Sequence, residues 1–347
     1  MRRPSLGAGS SAGAAVASLP PPAWLSADGF DADCVVSSRA RAMRNLAGFR
    51  FPPAARPAEL LEVARLVREA ACSPSDSPET TFRPLGSLTL VEFDALVRNR
   101  LASPHFKWRE SGRLVLVNDA RTASILVNEE DHLRIQVLLP GHAVEDAKAA
   151  LERILAVLSR RLRFAHAEPW GYLASSPPNC GTGLRLSVMA HLIGLAHAKR
   201  LRGVLTALVQ RGLVVRGLSG ESSRATGAFV QVSTTRGDEA EWRGAREFLL
   251  EQERTARLHT PAEELDRRLE EVAAYIQRCR SLQPADALRA LAWLRWGLSS
   301  GRLQGAAIHE ADRAWTEVLG DPARSDLGPS RARALRAFLA RLTFDRG

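Results

Sequence analysis

The stretch that decides the reading runs from Trp170 to Met189: Trp-Gly-Tyr-Leu-Ala-Ser-Ser-Pro-Pro-Asn-Cys-Gly-Thr-Gly-Leu-Arg-Leu-Ser-Val-Met. A short apolar run gives way to small and turn-forming residues, then to Asn179-Cys180-Gly181-Thr182-Gly183. Arg185 follows, at the head of an apolar segment that reads as a helix from Leu186 to Arg200. Glycine lets backbone approach a ligand and supplies unusual torsions. A helix N-terminus presents unpaired N–H groups that attract anions. An arginine there adds a forked, permanently charged donor set suited to phosphate. The same spacing fits an ordinary loop leading into a buried helix. The Gly-Lys-Ser/Thr ending of a Walker loop is missing, which excludes that class of phosphate loop.

Upstream, Cys34-Val35-Val36 is a short strand candidate leading into Ser37-Ser38-Arg39-Ala40-Arg41. Arg39 and Arg41 alternate, so on extended backbone they point the same way and form an anion clamp, or else a solvated basic strand edge. Pro57 to Cys72 reads as an amphipathic helix, and Leu88 to Leu101 as a second. Two strands joined by a short turn are expected over Gly112 to Asp119 and Thr122 to Asn128. Arg113 to Val117 alternates poorly, as a strand covered on both faces does. Next comes Asn128-Glu129-Glu130-Asp131-His132-Leu133-Arg134-Ile135-Gln136, whose three acids in a row suit a solvated turn.

Helices follow over Glu145 to Arg163 and Arg202 to Arg211. A buried strand is expected at Leu213-Val214-Val215, a loop over Arg216 to Gly227, and an alternating strand over Phe229 to Ser233. Beyond residue 238 the pattern is helical throughout: Glu241 to Arg257, Pro261 to Arg280, Pro284 to Ser299, Ile308 to Leu319 and Arg331 to Leu342.

The 347 residues, 45% hydrophobic and 25% charged, suit a globular chain able to bury a large core. No run approaches the roughly 18 apolar residues of a membrane span. The net charge is +10, and all but Lys107, Lys148 and Lys199 of the 48 basic residues are arginine. Arginine suits phosphate, so nucleic acid is a candidate partner. The arginines are nevertheless spread along the chain with few aromatics between them, which argues against it and for a GC-rich coding bias. Cys34, Cys72, Cys180 and Cys279 lack metal-ligand spacing, so no metal site is expected from them, and they suit a reducing cytosol. Residues 1–22, rich in Ser, Gly, Ala and Pro, read as a disordered tail rather than a signal peptide.

The string at 176–188 resembles the active-site loop of phosphagen (guanidino) kinases, Cys-Pro-Thr-Asn-x-Gly-Thr-Gly-x-Arg-Ala-Ser-Val, most closely in the bacterial protein arginine kinase branch. Ser176 stands where that family carries its cysteine, Pro178 replaces a threonine and Leu186 an alanine. The stretches Ser37-Ser38-Arg39-x-Arg41 to Leu46 and Asn128 to Gln136 match two further family strings, and Arg216 to Gly227 a fourth more loosely. The resemblance implies an α+β fold: a curved antiparallel sheet flanked by helices over 23–238, then an all-helical domain over 239–347. It also implies that the small N-terminal helical domain of creatine and arginine kinases is missing.

The same resemblance implies ATP with Mg²⁺ as phosphoryl donor and arginine side chains of proteins as acceptors. Glu130 and Glu221 would position and deprotonate the guanidinium, with Ser176 in place of a nearby thiol. Arg39, Arg41, Arg134, Arg185 and Arg216 would bind phosphates. Arg100 stands where the family has a nucleotide-contacting histidine. Ser37, Ser38, Ser187, Val188, Met189, Gly217 and Gly220 complete the expected nucleotide site. A homodimer, an activator protein, a proteolytic unfoldase and a cytoplasmic role in stress response are implied as well, and neither nucleic acid nor membrane. Ser219, Ser222 and Arg224 depart from the family's mobile loop. The Arg331 to Ala337 segment lacks the aspartate of a phosphoarginine-docking motif, and reads as a packing helix. These departures motivate the alternative of a degenerate kinase that binds nucleotide or phosphoarginine as an adaptor.

The residue types make chemical sense as one unit. A guanidinium nitrogen is a poor nucleophile because its lone pair is delocalised, so carboxylates must hold it in line and take its proton. Cations must spread the charge of the moving phosphoryl group.

Overall fold

The computed structural model describes residues 21–73, 77–217, 225–234, 239–319 and 327–345. The segment expected to be a tail falls largely outside them, as do Gly220, Glu221 and Arg224.

The core is an open eight-stranded antiparallel sheet. Its strands are β1 (Val35–Arg44), β2 (Phe82–Leu85), β3 (Leu114–Asn118), β4 (Ala123–Val127), β5 (Leu133–Pro140), β8 (Leu184–His191), β9 (Val214–Gly217) and β10 (Phe229–Ser233). Between β5 and β8 the two-residue strands β6 (His166–Ala167) and β7 (Gly171–Tyr172) form a separate hairpin. The order across the sheet is β2-β3-β4-β5-β1-β8-β10-β9, which puts β1 at the centre, between β5 and β8.

Alternation along the strands sorts side chains onto two faces. Ala40, Ala42, Ile135, Val137, Leu186, Val188, Val230 and Val232 belong to one apolar cluster. Helices Pro57–Ala71, Val144–Ser159 and Leu201–Gln210 cover it with Val63, Val67, Leu151, Ile154, Leu158 and Leu208. Helix Glu239–Leu258 adds Trp242, Ala245 and Leu249 to this same cluster. In β3, Leu116 faces this core while Val115 and Val117 face a smaller cluster with Phe93 and Phe106, so the strand is covered on both sides as its sequence suggested.

The helices Ala262–Arg278, Pro284–Ser299, Ile308–Leu319 and Gly328–Leu339 build a second core. It takes in Leu138, Met189 and Phe229 from the opposite face of the sheet, at one end. Helix Gly328–Leu339 packs through Ala332, Leu335, Phe338 and Leu339, as an amphipathic packing helix should. A buried polar seam fastens this part to the sheet. Arg295 donates to both Asp312 oxygens (2.7 and 3.1 Å) and to the backbone carbonyls of Ala32 and Asp33 (2.7 and 2.9 Å). Glu253 accepts from the N–H groups of Gly194 and Leu195 (2.8 and 2.9 Å) and so caps the short helix Ile193–His197.

Two expectations are corrected here. The segment after Arg185 is not a helix but strand β8, followed by that five-residue helix. Its residues alternate, Arg185, Ser187 and Met189 on one face against Leu186, Val188 and Ala190 on the other. Both faces are buried over much of its length, and that hid the period of two. The strand at Leu213 to Val215 is β9, a half-buried edge strand that reaches Gly217 and contains Arg216.

Candidate functional site

Register assembles the site. On β1, Arg39 lies opposite Ser187 and Arg41 opposite Arg185 of β8. Across β5, Arg41 meets Gln136 and Met43 meets Arg134. Paired residues of an antiparallel ladder project to the same face, so Arg39, Arg41, Arg134 and Arg185 share the face away from the helices that cover Ala40 and Ala42. On β10, Ser233 lies opposite Ser187 and Gln231 opposite Arg216 of β9, which carries the face one strand further. Arg39 Nη2 donates to Gln231 Oε1 (3.1 Å) and Arg185 Nη2 to Ser233 Oγ (3.1 Å).

Arg100 joins this face from the turn after helix Leu90–Arg98. Its own carbonyl accepts from Gln136 Nε2 (2.7 Å), and its guanidinium rests 4.8 Å above the Trp315 ring. Trp315 in turn stacks on Phe229, so the C-terminal helices seat a cation of the site.

The electrostatics are those of crowded, unmatched positive charge. Burial pushes Arg39 down to about 9, and the charges of Arg134, Arg100, Arg185 and Arg216 add to the shift. Arg41 is lowered well below the usual range by burial, then by Arg134, Arg39 and Arg185, with Glu129 opposing. Burial lowers Arg100 to about 10. Arg134 is paired with Glu129 (2.8 Å), whereas Arg39, Arg41 and Arg100 form no ion pair with any carboxylate among the described residues. Gathering cations this way costs stability unless a polyanion neutralises them.

Glu130 lies at the exposed rim of this face, in the turn between β4 and β5. Partial burial and then the charges of Asp131 and Glu129 raise its pKa, while Arg134 and Arg41 pull it down. A carboxylate with raised proton affinity, electrostatically coupled to the arginine face, is equipped to accept a proton there. Glu130 and Arg185 are each within electrostatic reach of Arg41, and Arg185 is also its register partner on β8.

The residue before Ser176 is tied to the Glu130 turn. Asp131, fully buried, accepts through Oδ1 from Ser175 N (2.6 Å) and from Asn45 Nδ2 (2.6 Å). One carboxylate therefore ties together the end of β1, the Glu130 turn and the Ser176 loop. Asn45 returns the contact, its Oδ1 accepting from His132 N (2.9 Å). The glycine-rich loop beyond is pinned by Arg44, which donates to the carbonyls of Met43 and Thr182 (2.7 and 3.0 Å) and lies 3.7 Å over Tyr172. Gly183 has φ +64°, and a Cβ there would fall 2.5 Å from Arg44 Nη1, so only glycine fits. The candidate anion site is accordingly a face of strand arginines and not a helix N-terminus.

Some expected nucleotide residues lie elsewhere. Ser38 and Val188 project to the opposite face. Ser38 Oγ donates to Gly141 O (2.8 Å) and accepts from Ala143 N (3.0 Å), and Val188 is in the helix-covered core. Ser37 and Met189 pair on the arginine side, but both are buried, and Met189 packs in the core of the C-terminal helices. Ser187 sits between Arg39 and Ser233, and Gly217 ends β9 opposite Val230. Sequence reasoning missed Asp131, Asn45, Gln136, Gln231 and Trp315. Asp131 and Gln136 stood inside a string read for its glutamates and arginines, whereas nothing local marked Trp315.

A family model described as ATP:guanido phosphotransferase, C-terminal catalytic domain, matches residues 62–237. The protein-arginine kinase of Pelotomaculum thermopropionicum is 34% identical over 339 residues, 92% of this chain and 95% of that protein. That of Halalkalibacterium halodurans is 35% identical over 302 residues, 82% of this chain and 83% of that one. Among solved structures a lombricine kinase aligns with a TM-score of 0.56 at 24% identity over 70% of this chain and 73% of its own, a likeness of fold. On these grounds, and with its site assembled from the strings that first suggested it, the chain belongs to the ATP:guanido phosphotransferase family of kinases, alongside the protein-arginine kinases.

Proposed function

We propose that the protein transfers the γ-phosphoryl group of ATP to a guanidinium nitrogen of arginine residues in proteins. The observation that carries this is the convergence of Arg39, Arg41, Arg100, Arg134, Arg185 and Arg216 around one sheet face with Glu130 at its rim. The triphosphate lies along the arginines, which match its charge and spread that of the transferring group. Glu130 holds the incoming guanidinium at the rim and takes the proton its nitrogen sheds as the N–P bond forms. The bond from the γ-phosphorus to the bridging oxygen breaks, and ADP departs with that electron pair. Glu221, outside the described residues, is by resemblance the second carboxylate on the acceptor.

No group of three or more His, Cys, Asp or Glu gathers to hold a metal among the described residues. By resemblance, Mg²⁺ would travel on the nucleotide phosphates, where it neutralises charge when bound. Ser176 supplies a neutral hydroxyl where the family has a thiol, so turnover is slower than a thiolate would support. Pairing of two copies through the C-terminal helices, an activator, a proteolytic unfoldase, a role in stress response and a cytoplasmic setting rest on the resemblance. Among the described residues no helix is long and apolar enough to cross a membrane.

The test is incubation with γ-labelled ATP, Mg²⁺ and an arginine-rich protein, followed by an assay for acid-labile phosphate. Label should appear on arginine and be lost in Glu130→Gln at unchanged nucleotide affinity. The replacement of the family thiol by Ser176 favours the adaptor as second reading, and nucleotide binding without label in the wild type would establish it.

A further inference from the structure

A concavity of about 300 Å³ opens beside β2 and β3. Its walls include Leu85, Leu88, Trp108 and Val115, and the two cations Arg109 and Arg113 line it as well. The aromatic wall is fixed in place. Trp108 stacks on Phe93 with centroids 3.9 Å apart, and its Nε1 donates to Leu88 O (3.3 Å). Arg109 lies 5.1 Å over the same indole. A hollow of mixed lining, in which two guanidiniums stand beside Leu85, Leu88 and the Trp108 indole, is complementary to an anionic head carried on a small apolar body.

Arg113 also leads out of the cavity. Its Nη1 donates to the carbonyl oxygen of Glu129 (3.0 Å), one residue before Glu130, and Glu129 pairs through its carboxylate with Arg134 of the arginine face. Its Nη2 donates to the exposed Glu110 carboxylate and pairs with it (3.3 Å), and its Nε is buried without a hydrogen-bond partner. Each Nη carries a second N–H beyond these contacts, so the guanidinium can meet an incoming anion while it holds the Glu129 carbonyl.

We propose that this cavity binds a small amphipathic anion, an aryl or alkyl carboxylate, and that Arg113 transmits its occupancy to the Glu129–Glu130 turn. An anionic head drawn against Arg113 competes with the Glu129 carbonyl for the same guanidinium. The turn that carries the base then shifts relative to Arg134. The relay, though not the binding, rests on the reading of Glu130 as the base.

The test uses the full chain saturated with ADP, so that the arginine face is filled, and titrates 1-naphthylacetate by calorimetry. One site is expected, weakened at least fivefold in Arg109→Ala, a variant whose basal kinase rate should be unchanged. Amide exchange over residues 128–132 should change on addition of 1-naphthylacetate to wild type and not to Arg113→Gln. At saturating ATP the same compound should alter kcat or KM for the protein acceptor at least twofold in wild type only. Absent binding, or equal binding by Arg109→Ala, overturns the site. Binding that leaves exchange at 128–132 unmoved overturns the relay. A chain that binds and shifts as expected but never phosphorylates arginine refutes the proposed function and leaves this site standing.

Discussion

Replacing Arg41 by methionine should make the unliganded protein more stable and the nucleotide complex weaker. Arg41 sits at the centre of the sheet, opposite Arg185 and Gln136. Its cation is disfavoured by burial and by Arg134, Arg39 and Arg185, with Glu129 giving back part. Two unit charges about 8 Å apart at an effective dielectric of about 40 repel by about 1 kcal/mol. Three such neighbours, offset by Glu129 and screened by solvent, leave a net relief of about 1–2 kcal/mol when the charge is removed. Methionine keeps much of the aliphatic stem, so the surrounding packing is largely preserved.

For a chain of this length that relief is a rise of about 1–3 °C in the midpoint of thermal unfolding. Against this, removing one arginine–phosphate interaction from a buried face costs about 2–4 kcal/mol of binding, roughly 30- to 1,000-fold in affinity for ADP or ATP. The assay is thermal unfolding at pH 7 with and without saturating MgADP, together with calorimetric titration of the nucleotide. The two curves should move in opposite directions, up without ligand and down with it. The sign of the pH dependence follows. An arginine whose folded pKa lies below its unfolded value penalises the fold in full at neutral pH, and the penalty fades as pH rises past the folded value, about 9 for Arg39. The gain from Arg41→Met should therefore shrink as pH rises through the lowered range of Arg41 itself. A variant that is less stable without ligand, with nucleotide affinity intact, would show that these arginines are structural and refute the reasoning.

Three further outcomes are expected. Asp131→Asn removes a charge that raises Glu130, so the acid limb of the kcat profile, where the base is lost to protonation, should move to lower pH while ATP affinity holds. An unmoved limb would detach Asp131 from the base. Gly183→Ala places a Cβ against Arg44 and the Met43 carbonyl at φ +64° and should cost about 1–3 kcal/mol by denaturant unfolding. Ser176→Cys should raise kcat by roughly tenfold, about 1.4 kcal/mol, and make turnover sensitive to iodoacetamide beyond whatever Cys180 contributes, whereas no gain in rate would mean the hydroxyl already suffices.

How legible the molecule was depended on where the buried surface lay. Helices such as Pro57–Ala71, Val144–Ser159 and Ala262–Arg278 bury one stripe each, and their period shows at once. Arg39 and Arg41 declared a strand face because alternate positions were polar on an otherwise apolar run. β8 misled because it is sandwiched: Leu186 and Val188 meet the helix layer while Met189 meets the C-terminal helices, so apolar residues fall at both parities. The glycines just before it then looked like a helix entry. The pairing of Arg185 with Arg41, and of Asp131 with Ser175, is long-range register, which no local pattern carries.

The same sandwiching explains how the strained face is tolerated. β8 and β10 each bear polar or cationic residues of the arginine face at one end and large apolar groups at the other. Arg185 and Met189 are four residues apart on β8, and Ser233 and Phe229 likewise on β10. Burying a Met or Phe side chain contributes about 1.5–3 kcal/mol, the scale of the repulsion a few residues away. The C-terminal helices supply the partner surface for those apolar ends and place Trp315 under Arg100. They therefore hold the arginine face together without forming its strands. A substitution at Met189 or Phe229, in the core of the C-terminal helices, should on this argument loosen nucleotide binding along with the fold. A substitution of equal cost in the helix-covered face, at Leu151 or Ile154, should reduce stability and spare the affinity of the molecules that remain folded.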